Sequence, residues 1–278
     1  SVVRDDDYVE IRVDPTATLP TARHGIVAGA NGSAEWVNWW TGHAADPRLP
    51  WVVSLPPEQL RTLARPAPGT ALAEDVDLSE LQNVRIINAG YAEFRDRVAR
   101  SPGFQINLHQ EYGSIPQAVI VAADGGPTAA ARVRVEHAQN ILIEGLHLLG
   151  SPAQSGIIIR DSKGVTVRRC WIDLFEGGPL PRGGGHGIGR GVQIDQSGGS
   201  SHDTAVALTA CDIGWNRAAR RGMPIKGAGI AVYDSNVEIA GCFVHDNVAT
   251  DDPADVAVQG ASRVRGEHNH RVGNRVTA

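Results

Sequence analysis

The chain has 278 residues, 42% of them apolar, enough to bury the core of one large domain or two small ones. A net charge of −5 with no long basic run excludes a strongly nucleic-acid-binding composition, and no apolar run is long enough to span a membrane. Three cysteines cannot form a complete disulfide framework.

The N-terminal third is irregular. PPEQLRTLAR, from Pro56, reads as a short amphipathic helix with its prolines at the start, where a helix tolerates them. The WVNWW cluster (Trp36, Trp39, Trp40) reads as packing for that helix. Strand-like pieces follow at NVRIIN (from Asn83) and AVIVAA (from Ala118). No charged-then-apolar leader opens the numbering at Ser1, so the compartment is not readable from that end.

From about Arg132 onward, short β-branched segments alternate with Gly, Asn, Asp and Ser turns. One segment type reads RVRVEH, GIIIRD, GVQIDQ, GIAVYD and DVAVQG. Its inward face is Val133/Val135, Ile157/Ile159, Val192/Ile194, Ile230/Val232 and Val256/Val258. A second type follows each after a short turn: VTVRRCWIDLF (from Val165), VALTACDIGWN (from Val206) and VEIAGCFVHDN (from Val237). Cys170, Cys211 and Cys242 fall in one slot, with Leu146 in the same slot of an earlier segment. No long amphipathic helix separates the segments, which disfavours a doubly wound α/β sheet. Recurrence of like residues in like slots predicts an all-β solenoid whose coils stack equivalent side chains into interior ladders. Cysteine serves there as a small apolar residue. The expected division is residues 1–80 as an extension and helical cap, and 81–278 as the solenoid. Two insertions break the register, Gly177–Arg190 and Asn216–Gly227, and long loops on a regular scaffold are common places for function.

The paired segments, and the phrase IPQAVIVAADGGPTAAARVRVEHAQNILIEGLHLLG from Ile115, resemble the pectate-lyase-like superfamily of right-handed parallel β-helices, over roughly Asn83 to Asn274. That resemblance implies a right-handed parallel β-helix with an N-terminal cap, and an extracellular or periplasmic setting. It also implies a substrate groove along the first-type sheet. It is specific for fold, not for activity, since such folds host lyases, hydrolases, esterases, epimerases and inert spikes. The DTLFG, YGFDPH and calcium-binding nonapeptide signatures are absent.

Alternation places Glu136, Arg160, Asp195, Tyr233 and Gln259 in one outward polar row, with Arg134, Ile158, Gln193, Ala231 and Ala257 beside it. The insertions add His186, Arg182 and Arg190 on one side and Arg217, Arg220, Arg221 and Lys226 on the other. A locally basic rim on an acidic chain suits an acidic polysaccharide or oligosaccharide, and arginine forks suit sugar carboxylates.

The expected activity is β-elimination on a uronate-containing glycan. Lys226 is the candidate base, crowded by arginines whose like charge favours a neutral amine. Arg220 or Arg221 holds the carboxylate, and Tyr233 or His186 protonates the leaving oxygen. Glu136, Arg160, Asp195, Arg182, Arg190 and Arg221 line the groove. Calcium is the candidate cofactor, with Asp161, Asp195 and Asp234 as ligands. Two other readings stand beside this one: a β-helical glycoside hydrolase using paired carboxylates, and a carbohydrate-binding or structural module. The last segment ends without an evident cap, so self-association through that end of the solenoid is a further expectation.

Overall fold

The structure is a computed structural model. It describes residues 2–4, 8–13, 26–28, 34–36, 72–73, 75–100, 118–121, 129–179, 186–198, 204–220 and 222–277. The Pro56 helix, Trp39 and Trp40 lie outside the described residues. Strands dominate, with one helix, Ala89–Arg100, among the described residues. No described helix is long and apolar enough to cross a membrane.

Three sheets of eight, seven and six strands carry the fold. All their pairings are parallel except the outermost one, where Val2–Arg4 runs antiparallel to Val9–Val13. The chain visits the sheets in rotation. Ala131–Glu136 belongs to the six-stranded sheet, Gln139–Glu144 to the eight-stranded and Leu146–Leu149 to the seven-stranded, and Ser155–Arg160 then pairs with Ala131–Glu136. The same order recurs through Val192–Asp195, Ile230–Tyr233 and Val256–Gln259.

Each circuit thus has three strands where the sequence suggested two. The cysteine-bearing segment is not one strand. It bends just before the cysteine, at Arg169, Ala210 and Gly241, all in the left-handed region. Only one of these is glycine, so the corner carries no uniform sequence signal. Strands from the first 80 residues also join the sheets. Val9–Val13 pairs with Gln82–Asn88, Leu72–Ala73 with Ala118–Val121, and Val76–Asp77 with Ala131–Glu136.

The core fills the space between the sheets. Val133, Val135, Ile157, Ile159, Val192, Ile194, Ile230 and Val232 are buried as the alternation requires. Val258 is 48% exposed instead, because among the described residues no further strand pairs beyond Val256–Gln259. Full burial of such a side chain stabilises by roughly 1.5–3 kcal/mol. Cys170, Cys211 and Cys242 are free and buried in this core. Each thiol reaches backbone carbonyls: Cys211 Sγ lies 3.5 Å from Val167 O and 3.4 Å from Thr209 O. Burial pushes the Cys170 thiol well above its usual range.

Polar ladders run along the corners. The backbone N–H of Ser162 donates to Ser197 Oγ, that of Ser197 to Ser235 Oγ, and that of Ser235 to Ser262 Oγ. At another corner, Asn216 Nδ2 donates to Asn247 Oδ1 at 3.0 Å, and Asn247 Nδ2 to Asn274 Oδ1 at 2.9 Å. At the N-terminal side the helix is clasped to its neighbouring strand by charge. Arg95 donates to Glu10 at 2.7 Å and Arg12 to Asp96 at 2.8 Å.

Candidate functional site

Parallel register builds the site. Glu136 pairs with Arg160, Arg160 with Asp195, Asp195 with Tyr233 and Tyr233 with Gln259, so the expected outward row is in register across five strands of the six-stranded sheet. The neighbouring row, Arg134, Ile158, Gln193, Ala231 and Ala257, is in register as well. A residue two positions along a strand shares its face, so both rows look outward.

The polar groups of these rows form a connected chain. Arg160 spans two carboxylates, Nη1 lying 3.2 Å from Glu136 Oε1 and Nη2 3.4 Å from Asp195 Oδ2. Gln193 Nε2 donates to Asp195 Oδ2 at 2.7 Å. Arg190 Nη1 donates to Gln193 Oε1 at 2.8 Å, and Arg190 Nη2 to Tyr233 Oη at 2.6 Å. Arg190 also donates from Nε and Nη2 to the Lys226 carbonyl, both at 3.2 Å. At one edge Arg134 pairs with Asp77 and, chiefly through that hydrogen bond, holds its carboxyl down to about 2.

Arg190 is the unexpected member. Its position, just before a strand, marked it as a loop arginine on the rim. Instead it is 4% exposed and bonds the outer ends of the Gln193 and Tyr233 side chains. No carboxylate lies within ion-pair distance of it among the described residues. Its acceptors are an amide, a phenol and a carbonyl, all neutral. Burial pushes its guanidinium below the ordinary value, while Tyr233 and Asp195 pull the other way. A buried charge without a balancing partner costs on the order of several kcal/mol, so Arg190 is an expensive residue to keep here.

The two insertions meet beside the row. Gly177 N–H donates to Arg217 O at 2.9 Å and Ala219 N–H to Ile188 O at 3.0 Å. Gly178–Pro179 pairs antiparallel with His186–Gly187, so the first insertion begins as a hairpin. Lys226 Nζ lies 3.5 Å from Asp251 Oδ2, both side chains 40% exposed, so among the described residues its amine is paired with a carboxylate. Arg220 is exposed and makes no ion pair among the described residues. Arg217 reaches Glu176 at 3.8 Å. Arg182, Arg221 and the His186 side chain lie outside the described residues.

The three candidate calcium ligands point to different partners. Asp161 Oδ2 lies 3.0 Å from His137 Nδ1, Asp195 is held by Arg160 and Gln193, and Asp234 Oδ1 accepts from the Ala261 N–H at 2.8 Å. Among the described residues no three His, Cys, Asp or Glu side chains gather as a metal group would require. Asp161, Asp195 and Asp234 are thus each engaged separately and are not gathered into one group.

A second polar cluster lies on the outward face of the seven-stranded sheet. His245 is buried between two carboxylates, with Nε2 2.8 Å from Asp212 Oδ1 and Nδ1 3.0 Å from Asp246 Oδ2. Its ring stacks on Phe243 and meets Trp215 edge-on, with centroids 4.2 and 4.3 Å away. Burial opposes charge on the ring, but Asp212 and Asp246 together outweigh it and raise its pKa. One circuit apart in the other direction, His147 Nε2 lies 3.3 Å from Asp173 Oδ1, both fully buried. The Asp212 and Asp173 partners of these histidines lie a full circuit away in the chain, and only Asp246 is adjacent in sequence.

No protein-family model, no curated protein and no solved structure matches this chain.

Proposed function

We propose that the chain is a right-handed parallel β-helix of the pectate-lyase-like kind, and that it cleaves an acidic, uronate-containing glycan by β-elimination on the outward face of its six-stranded sheet. Rotation of the chain through three parallel sheets supports the β-helical reading. The observation that carries the functional reading is the unbroken outward row Glu136–Arg160–Asp195–Tyr233, flanked by two abutting insertions. A flat, hydrogen-bonded polar strip with a phenol and cations at one end suits an extended polyhydroxylated chain.

In this reading Tyr233 is the acid. Its oxygen accepts from Arg190, which leaves its own hydrogen free for the leaving oxygen. Lys226, once its pair with Asp251 has parted and its ammonium has released a proton to solvent, accepts the proton from the carbon next to the uronate carboxylate as a neutral amine. The electrons of that C–H bond form the new double bond, and the glycosidic C–O bond breaks. The departing oxygen takes the Tyr233 proton. Exposed Arg220 neutralises the carboxylate.

The test is incubation with pectate, alginate and a glycosaminoglycan, following the ultraviolet absorbance of the unsaturated product. Tyr233→Phe is expected to lower kcat by about 100-fold or more, the usual contribution of a positioned acid. Lys226→Ala with full activity would remove the base assignment. New reducing ends without absorbance would favour a hydrolase instead. One observation supports that second reading: Glu136 and Asp195 lie two strands apart in one row, about 10 Å between backbones, near the spacing of inverting enzymes. Neither product, with glycan retained, would leave a binding module.

A further inference from the structure

We propose that Arg190 and Tyr233 form an anion receptor, and that the ligand of this face docks an oxyanion, carboxylate or sulfate, against the Tyr233 hydroxyl. The inference rests on the reading of this face as the ligand site, not on elimination, and it gives the single Tyr233 hydroxyl hydrogen to an anion in place of the leaving oxygen. Three observations lead to it. First, Arg190 is buried, its hydrogen-bond acceptors are all neutral, and among the described residues no carboxylate is in ion-pair contact with it, Asp195 acting on it only at a distance. Second, Tyr233 accepts from that guanidinium at 2.6 Å and is itself half-buried, so its hydroxyl hydrogen is polarised and available to an outside acceptor. Third, the carboxylate next along the row, Asp195, is already engaged by Arg160 and Gln193, and reaches Arg190 only through the Gln193 amide. The charge thus has one open outlet, through the phenol. An anion placed there gains charge-assisted hydrogen bonding in a site of low dielectric. A neutral sugar gains only an ordinary hydrogen bond.

The intact chain is titrated with sodium glucuronate, glucose, sodium sulfate and, as an ionic-strength control, sodium chloride, reading the thermal unfolding midpoint. A ligand that binds the folded state raises that midpoint with concentration. Glucuronate is expected to raise it and glucose and chloride to leave it unchanged. A matching rise with sulfate sustains the receptor and assigns it to oxyanions in general. Its absence assigns it to the sugar carboxylate. Arg190→Gln is expected to bind glucuronate at least about tenfold more weakly, and Arg190→Lys, which keeps the charge, to retain the preference over glucose with reduced affinity. If Arg190→Gln does not fold, Tyr233→Phe, which retains the arginine, carries the test with the same tenfold loss. No glucuronate effect on the parent chain, an equal effect of glucose, or unchanged binding by Tyr233→Phe would overturn the proposal. The elimination reading stands or falls separately, on the ultraviolet product.

Discussion

Asn247→Ala is expected to be among the most costly single changes away from the hydrophobic core. Asn247 is fully buried and makes four hydrogen bonds with its side chain. Oδ1 accepts from the Asn216 N–H at 3.1 Å and from Asn216 Nδ2 at 3.0 Å, and Nδ2 donates to Ile213 O at 3.0 Å and Asn274 Oδ1 at 2.9 Å. Alanine removes all four. Asn216 Nδ2 keeps the Ile172 carbonyl, and half-exposed Asn274 can turn to water. The Asn216 N–H and the Ile213 carbonyl lose a partner in a dry site. At ~1–3 kcal/mol for each such group, the loss is about 4 kcal/mol. Asn274→Ala, on the outermost and half-exposed rung, is the internal control: the Asn247 N–H and Nδ2, which donate to it at 3.0 and 2.9 Å, lose that acceptor beside solvent, and the expected cost is about 2 kcal/mol. Urea unfolding measures both, with the slope compared to confirm that the same surface is exposed. Asn247→Ala within about 1 kcal/mol of the parent, or no worse than Asn274→Ala, would refute the idea that the ladder is a stabilising element.

The pairing of His245 makes stability depend on pH. Its folded pKa is raised, so its contribution is complete below the ordinary histidine value and is lost as pH rises through the higher folded value. Urea midpoints are expected to fall over that window, and His245→Gln to flatten the profile there. The cysteine ladder is expected to be inert to an aromatic disulfide reagent in the folded protein, with all three thiols reacting once it is denatured. Fast reaction of any one thiol without denaturant would contradict its place in the core.

Much of this architecture was legible because parallel stacking repeats its demands. The inward alternation at Ile157/Ile159 and Ile230/Val232, and the cysteine slot, were visible as recurring positions, and they set the register that aligns Glu136, Arg160, Asp195 and Tyr233. The corners were less legible. Arg169, Ala210 and Trp215 adopt left-handed backbone without being glycine or asparagine, so their turns were read as continuing strand. The last inward position, Val258, broke its pattern because alternation tells which way a side chain faces and not whether another layer covers it. The helix Ala89–Arg100 was missed for a different reason. It is held by Arg95, Asp96 and the strand residues Glu10 and Arg12, partners some eighty residues away in the chain. A shorter separation, 43 and 36 residues, hid the burial of Arg190, whose partners Tyr233 and Lys226 arrive on the following circuit.

In-register stacking also limits what this face can measure. The backbone attachment points of one row are separated by whole strand steps of about 4.8 Å, and substitution within the row changes a side chain's reach but not its point of attachment. A ligand that touches Glu136, Asp195 and Tyr233 together therefore meets a graduated scale, and has to carry its own groups at multiples of that step. A chain molecule whose repeat agrees with the scale can engage at many points. One that disagrees falls out of phase within a few units, whatever its charge.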